Sequence, residues 1–96
     1  MKQCDLIINS NTYNKSFHAG NWKSKNYVDK IEVIYFKTVV ACYDKRTKIL
    51  ICYDYPTMST KKGNSRLINA TTHVLNCTAY RTSDRDKFDR ARNILW

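Results

Sequence analysis

The sequence predicts an α+β domain, with a small antiparallel sheet built on a long β-hairpin, two C-terminal helices and an irregular N-terminal arm. Three observations lead to this prediction. Residues 31–43 and 48–55 are rich in Val, Ile, Tyr and Phe, which favour strands. Residues 66–76 carry apolar side chains at helical spacing, and residues 84–95 follow a capping sequence. A chain of 96 residues is long enough for one domain with a modest core.

The single predicted domain, residues 1–96, divides into an arm at 1–22, strands within 26–55 and a helical part at 64–96. The arm is polar and shows little periodicity, although Leu6-Ile7-Ile8 could form a short strand. A first strand is predicted at residues 26–29.

The long hairpin consists of a strand at residues 31–43, a turn at 44–47 and a partner strand at 48–55. Asp44 predicts the turn, because an Asp side chain can bond its own backbone two residues further on. Both strands carry apolar residues on both faces. We therefore expect one face to pack under the helices and the other to be half-covered by the arm.

The first helix is predicted from about residue 66 to 76, with Asn64 or Ser65 as its N-cap. Its apolar stripe is Leu67, Ile68, Thr71, Val74 and Leu75. The second helix begins after Ser83 and Asp84, which form a cap. Its side-chain spacing predicts two ion pairs, namely Asp86 with Arg90 and Asp89 with Arg92.

Residues 47–69 form the most distinctive stretch. A β-branched strand runs into a proline turn at Pro56, a hydroxyl- and lysine-rich loop follows at 57–64, and Ser65-Arg66-Leu67-Ile68-Asn69 opens a helix. This arrangement resembles a signature of small proteins of Gram-positive phages: tyrosine, Pro or Val, Thr, any residue, Ser or Thr, Thr, Ser, Arg, any residue, Ile, Asn. Here Lys61-Lys62-Gly63 interrupts the signature, and Leu67 stands where the family often has His. The resemblance implies a phage origin.

Positive charge is concentrated in one part of the chain. The formal net charge is +9, and residues 56–82 contain no acidic residue. A basic surface of this kind is typical of proteins that bind nucleic acid or an acidic protein face. Because helix starts attract anions, we expect a contact patch around the first helix. The predicted partner-binding residues are Lys61, Lys62, Arg66 and Arg81, followed on the second helix by Arg85, Arg90 and Arg92.

The four Cys and two His raise the question of a metal site. His73 and Cys77 are i,i+4 on the first predicted helix, a spacing that places both on one face. With Cys4 and His18 they would complete a Cys2His2 zinc site that clamps the arm to the helix. An alternative set has Cys52 in place of Cys4 or His18, and a second alternative is four unrelated thiols.

Catalytic patterns are absent from the sequence. It has one Glu, only two Gly, no phosphate-binding glycine loop and no paired carboxylates. We therefore predict that the protein is not an enzyme. Trp22, Tyr35 and other aromatic residues could stack on nucleic-acid bases, or pack in the core and across strands.

Two classes of function remain. The phage resemblance, the small size and the lack of catalytic patterns together fit an inhibitor of a bacterial defence system. By analogy, the leading expectation is an anti-CRISPR protein that blocks a type II RNA-guided nuclease by stoichiometric protein binding. The charge supports a second class, a small basic nucleic-acid-binding phage protein. No apolar run is long enough to span a membrane and no signal peptide is recognisable, so the expected location is the cytoplasm of the host cell.

Overall fold

The structure, a computed structural model, describes residues 1–55 and 58–95, without the side chains of Met58, Ile94 and Leu95. The described residues form an α+β fold with a six-stranded mixed sheet and three helices. A short 3-10 turn at Gln3–Asp5 precedes the first helix. The elements in chain order are α1 (Leu6–Tyr13), β1 (His18–Ala19), β2 (Trp22–Asn26), β3 (Lys30–Tyr35), β4 (Thr38–Asp44), β5 (Ile49–Tyr53), α2 (Met58–Leu75), β6 (Thr78–Thr82) and α3 (Arg85–Leu95).

The strands lie in the sheet in the order in which they occur in the chain, from β1 to β6. Each neighbouring pair is antiparallel except β5 and β6, which are parallel. A parallel pair needs a crossover connection, and α2 supplies it. Because the strand order runs from β1 to β6, the edge strands of the sheet are the two-residue β1 and the five-residue β6.

Helices cover both faces of the sheet because the strands are apolar on both sides. On one face, Leu6 and Ile7 of α1 and Leu67 of α2 pack on the sheet in a fully buried cluster. On the other face, Phe88 of α3 packs on Ile51 and Tyr53. The alternation along β5 separates the two cores, since successive residues of a strand point to opposite faces.

The predicted strand at residues 31–43 is wrong as a single element. It is two strands, β3 and β4, joined by a two-residue turn at Phe36 and Lys37, where Tyr35 pairs with Thr38. Neither residue is a turn former, and the apolar pattern continues on both sides of the turn, so the sequence does not mark it. The turn at Asp44 is confirmed, because its Oδ1 accepts the Arg46 N–H at 2.8 Å.

The N-terminal arm is not irregular. It contains α1, in which Leu6, Ile7 and Ser10 are buried, and the Ser10 hydroxyl is hydrogen-bonded to that of Ser24 in β2. The strand predicted at 26–29 is also displaced, since β2 ends at Asn26 and the next residues form the connection to β3. The short, weakly amphipathic α1 owes its stability to these tertiary contacts, which a local pattern does not reveal.

The first predicted helix begins much earlier than expected, at Met58 rather than near residue 66. Asn64 is not its N-cap but a buried residue inside it, and its Nδ2 donates to the Tyr53 carbonyl at 2.8 Å. Contacts such as this override the low helix propensity of the preceding segment, which contains Gly63. Val74, expected in the apolar stripe, is exposed. The proline turn at Pro56 and the start of the predicted loop at Thr57 lie outside the described residues.

The sequence does not predict β6, because its residues lie in the predicted connection between the two helices. α3 lies where the second helix was predicted, and the Asp84 carboxylate accepts the N–H of Asp86 at 3.0 Å as its cap. The Asp89–Arg92 pair is present at 3.6 Å. Arg90 instead contacts the backbone carbonyl of Asp86 at 3.4 Å.

Candidate functional site: a cationic face beside a ring cluster

Three of the predicted contact residues, Lys61, Lys62 and Arg66, are exposed on α2. Since α2 begins at Met58 and not near residue 66, Lys61 lies next to the start of the helix, whereas Lys62 and Arg66 lie further inside it. Anion binding by these residues stays a prediction. Within the described part of the chain, none of the three forms an ion pair. Lys62 and Arg66 are i,i+4 neighbours, and like charges at this spacing destabilise a helix by about 0.2–0.5 kcal/mol.

Arg81, the fourth predicted contact residue of this segment, is held by internal partners. Its Nε and Nη2 donate to the two carboxylate oxygens of Asp54 at 2.9 and 3.0 Å. Its Nη1 donates to the Ser65 hydroxyl at 2.8 Å. The hydrogen bond to Asp54 raises the pKa of Arg81, so the guanidinium stays charged. This arrangement ties β6, the end of β5 and α2 together.

The predicted contact residues of α3 lie on the opposite face of the sheet. Arg85 lies over the Tyr53 ring at 5.2 Å and donates to the Val39 carbonyl at 3.2 Å. Arg92 pairs with Glu32 at 3.3 Å. Arg90 is exposed. The seven predicted cations therefore do not form one patch, because α2 and α3 are separated by the sheet.

A cluster of three aromatic rings, Trp22, Tyr35 and Phe36, lies next to the cations of α2. Trp22 and Tyr35 are cross-strand partners of β2 and β3, with ring centroids 4.6 Å apart. The Phe36 ring is also 4.6 Å from that of Tyr35, at an interplanar angle of 63°. The side chain of Phe36 is 59% exposed. We call these three residues the ring cluster.

Phe36 adopts a backbone conformation that bulky residues rarely tolerate. Its φ is 56°, in the left-handed region, at the first central position of the β3–β4 turn, where a glycine is usual. For an L-residue this conformation costs about 1–2 kcal/mol. Side chains held in such conformations often mark functional positions. The turn therefore presents an exposed ring at some cost in stability.

Shallow depressions surround the ring cluster. One of about 380 Å³ is lined by Trp22 and Tyr35 together with Lys62 and Arg66. Another of about 400 Å³ is lined by Tyr35, Phe36 and exposed Tyr55. Flat rings beside unpaired cations can stack on planar groups and bind anionic ones. The surface is therefore suited to a partner that carries both, such as a nucleic acid or an acidic protein face with aromatic side chains.

The residues of the predicted zinc site are dispersed over several elements. Cys4 lies in the 3-10 turn, His18 in β1, His73 on α2 and Cys77 just after α2. His18 and His73 are exposed, and Cys77 packs against the core. Among the described residues, no group of three or more His, Cys, Asp or Glu side chains is placed to hold a metal ion. Zinc binding by these residues, or by the set with Cys52, stays a prediction.

The thiols are poorly suited to nucleophilic chemistry. Burial raises the pKa of Cys42 and of Cys52 far above the ordinary thiol value, and it raises the pKa of Cys4 and Cys77 as well. Thiolate is the reactive form, so each thiol is predominantly protonated at neutral pH.

No family model, curated protein or solved structure matches this chain. In residues 1–55 and 58–95, no helix combines the length and the apolar character that a membrane span requires.

The sequence indicated the cations of α2 but not the ring cluster as a unit. The sequence indicates Trp22 and Tyr35 as candidates for base stacking, whereas Phe36 lies inside the strand predicted at residues 31–43. The signal that could have identified the surface is the two like charges at i,i+4 with no acid in residues 56–82.

Proposed function

We propose that this protein acts by binding and not by catalysis, as a phage-encoded inhibitor that blocks a type II RNA-guided CRISPR nuclease in the host cytoplasm. The observation that carries the proposal is that Lys62 and Arg66, which form no ion pair with the described residues, lie beside the ring cluster, in which Phe36 is exposed and Trp22 and Tyr35 are half-buried. The resemblance of residues 55–69 to the phage signature supports the origin and the target class. The proposal does not rest on any similarity between this fold and the fold of another protein.

The chemistry of the surface fits a protein interface. Aromatic and Arg side chains are the commonest energetic anchors of such interfaces. An RNA-guided nuclease holds its heteroduplex in a positively charged channel. A basic inhibitor cannot replace that duplex by charge mimicry. It would bind an acidic face of the nuclease, or the nucleic acid that the complex carries, and so prevent target loading or closure.

Titration into a target-cleavage assay tests the mode of action. We expect cleavage to fall linearly with added protein and to reach its floor near an equimolar ratio. Inhibition at far below one protein per nuclease would indicate turnover and contradict the proposal. No loss of cleavage at a large excess, for a panel of type II nucleases, would also contradict it.

A pair of double variants tests the surface. Lys62→Glu with Arg66→Glu should weaken inhibition by about a hundredfold or more, because it reverses the charge where the partner is expected to bind. The matched control is Lys15→Glu with Lys25→Glu, which changes the net charge equally at exposed lysines outside α2 and the ring cluster. Equal effects of the two double variants would mean that only the overall charge matters.

The second candidate function is binding of single-stranded nucleic acid, which the geometry of the ring cluster favours. Base–aromatic stacking contributes about 1–3 kcal/mol per base, and cations beside the rings would hold the phosphates. Affinity for a naked oligonucleotide should then fall steeply with salt. Tight, salt-dependent binding of this kind without affinity for any nuclease would favour this function over the first.

Phe36→Gly separates the binding role of Phe36 from a structural one. Glycine relieves the left-handed strain, so we expect the variant to be about 1 kcal/mol more stable than the wild type. The loss of the ring should nevertheless weaken binding of the nuclease or the oligonucleotide by about fivefold or more. Unchanged binding would exclude Phe36 from the contact surface. Thermal unfolding and a binding titration give the two readouts.

A further inference from the structure

We propose that β6, with the apolar depression beside it, is a docking site for an extended acidic segment of a partner protein, which adds to the sheet as a further strand. This surface is separate from the ring cluster. It lies at the opposite end of the strand order from β1, and its depression is on the face covered by α3.

The outer edge of β6 offers free backbone groups. In the described part of the chain, β5 is the only strand that pairs with β6. The Thr78 N–H donates to the Lys48 carbonyl at 3.0 Å, and the Thr82 carbonyl accepts the Asp54 N–H at 2.8 Å. Because the peptide groups of a strand alternate in direction, those of Thr78, Tyr80 and Thr82 face β5. The N–H and C=O groups of Ala79 and Arg81 therefore face outward.

β6 lacks the devices that normally protect an edge strand. Natural edges are short, carry Lys or Pro, or contain a bulge. β1, at the other end of the sheet, is only two residues long. β6 has five residues, no Lys and no Pro, and its one charge, on Arg81, is held by Asp54. An edge of this kind is suited to strand addition, in which main-chain hydrogen bonds supply affinity and side-chain pockets supply specificity.

A suitable pocket lies next to this edge. A depression of about 400 Å³ has Ile49 and Ile51 of β5, Tyr80 of β6 and Ala91 of α3 among its lining residues. Tyr80 is 58% exposed, although its side chain points to the same face as the core around Phe88. An added strand would place every second side chain on this face, so an apolar residue there would pack on Tyr80.

The positive charge around the depression favours an acidic partner segment. Lys87 lines the depression, and the exposed Lys48 immediately precedes β5, where its carbonyl binds the first residue of β6. The whole chain carries a formal charge of +9, so pairing of two copies through β6 would bring two strongly positive proteins together. An acidic segment with apolar residues at alternate positions is complementary to both the charge and the depression.

The test uses a blocked peptide of alternating Val and Glu, compared with the same peptide carrying Lys for Glu. We expect the acidic peptide to bind at least about tenfold more tightly. In hydrogen-exchange experiments, binding should newly protect the amides of Ala79 and Arg81. Equal affinity of the two peptides, or protection confined to other parts of the chain, would overturn the proposal.

Two variants complete the test. Ala79→Pro removes an outward N–H that the sheet does not use, a position at which edge strands tolerate proline. It should weaken binding of the acidic peptide by about tenfold or more. Lys87→Glu should also weaken binding, whereas the control Lys25→Glu should not.

A peptide N-methylated at the amides that face β6 should fail to bind, and this readout does not depend on the folding of any variant. If the unliganded protein sediments as a dimer that Ala79→Pro dissociates, a second copy is the occupant and the proposal is wrong.

Discussion

Gly63 lies in the interior of α2 because the Trp22 ring leaves no space for a side chain. An ideal Cβ on Gly63 would lie 2.2 Å from Cζ2 and 2.5 Å from Cη2 of Trp22. Ordinary carbon–carbon contacts are about 3.5–4.0 Å, so in a Gly63→Ala variant the ring or the helix would have to move by more than about 1 Å. The ring cannot move freely, because its centroid lies 4.6 Å from that of Tyr35.

Two opposing contributions set the effect of Gly63→Ala. Alanine improves helix propensity by about 1 kcal/mol. Overpacking of this kind costs about 1–3 kcal/mol. We therefore expect the free energy of unfolding to fall by about 1 kcal/mol in the wild-type background. In a Trp22→Ala background the steric contribution disappears, and the same substitution should raise the free energy of unfolding by about 1 kcal/mol.

The assay is urea unfolding followed by circular dichroism, since Trp22 itself is substituted in part of the cycle. The coupling energy between Gly63→Ala and Trp22→Ala should be about 2 kcal/mol. Ala70→Gly, elsewhere in α2, is the control, and it should cost about 1 kcal/mol in both backgrounds. Equal stabilisation of both backgrounds by Gly63→Ala would contradict the close packing of the Trp22 ring against α2.

Three further predictions concern stability and metal content. Arg81→Met should lower the free energy of unfolding by about 1–2 kcal/mol, since it removes the two hydrogen bonds that Arg81 donates to the Asp54 carboxylate and leaves only the one from Asn64. A loss below about 0.5 kcal/mol in urea unfolding would contradict this. Burial raises the pKa of Cys42 and Cys52 above 9.0 in the folded protein, so the unfolded chain loses these protons first as the pH rises. The free energy of unfolding should therefore fall above about pH 9, by up to about 1.4 kcal/mol per pH unit for each thiol. A Cys42→Ala, Cys52→Ala variant should lack this extra pH dependence in unfolding experiments. If the proposed zinc site exists, protein purified without added metal should contain close to one zinc per chain and Cys77→Ser should lower the melting temperature, whereas elemental analysis showing less than about 0.2 zinc per chain would refute the site.

Local signals predicted the elements whose ends are fixed by local chemistry. The turn at Asp44 and the cap at Asp84 each depend on a side chain that bonds backbone groups two residues away. Elements fixed by distant contacts were missed. α1 depends on burial of Leu6 and Ile7 against the sheet, and the β3–β4 turn at Phe36 has no turn-forming residue. A parallel edge strand such as β6 needs a crossover, which no short window of sequence reveals.

The distinction between local and distant contacts also explains which cations form ion pairs among the described residues. Residues 56–82 contain no acid, so a cation on the solvent face of α2 has no acidic neighbour within helical reach, and Lys62 and Arg66 remain available. Arg81 belongs to the same acid-free segment but lies on β6, where the sheet brings Asp54 from the end of β5 to its guanidinium. A strand can thus receive a counter-charge from a residue distant in sequence, whereas an exposed helix face depends mostly on its own turns. We therefore expect an acid-free stretch to leave cations available on its helices more often than on its strands. The proposed anionic partner should bind at α2, where Lys62 and Arg66 form no ion pair with the described residues.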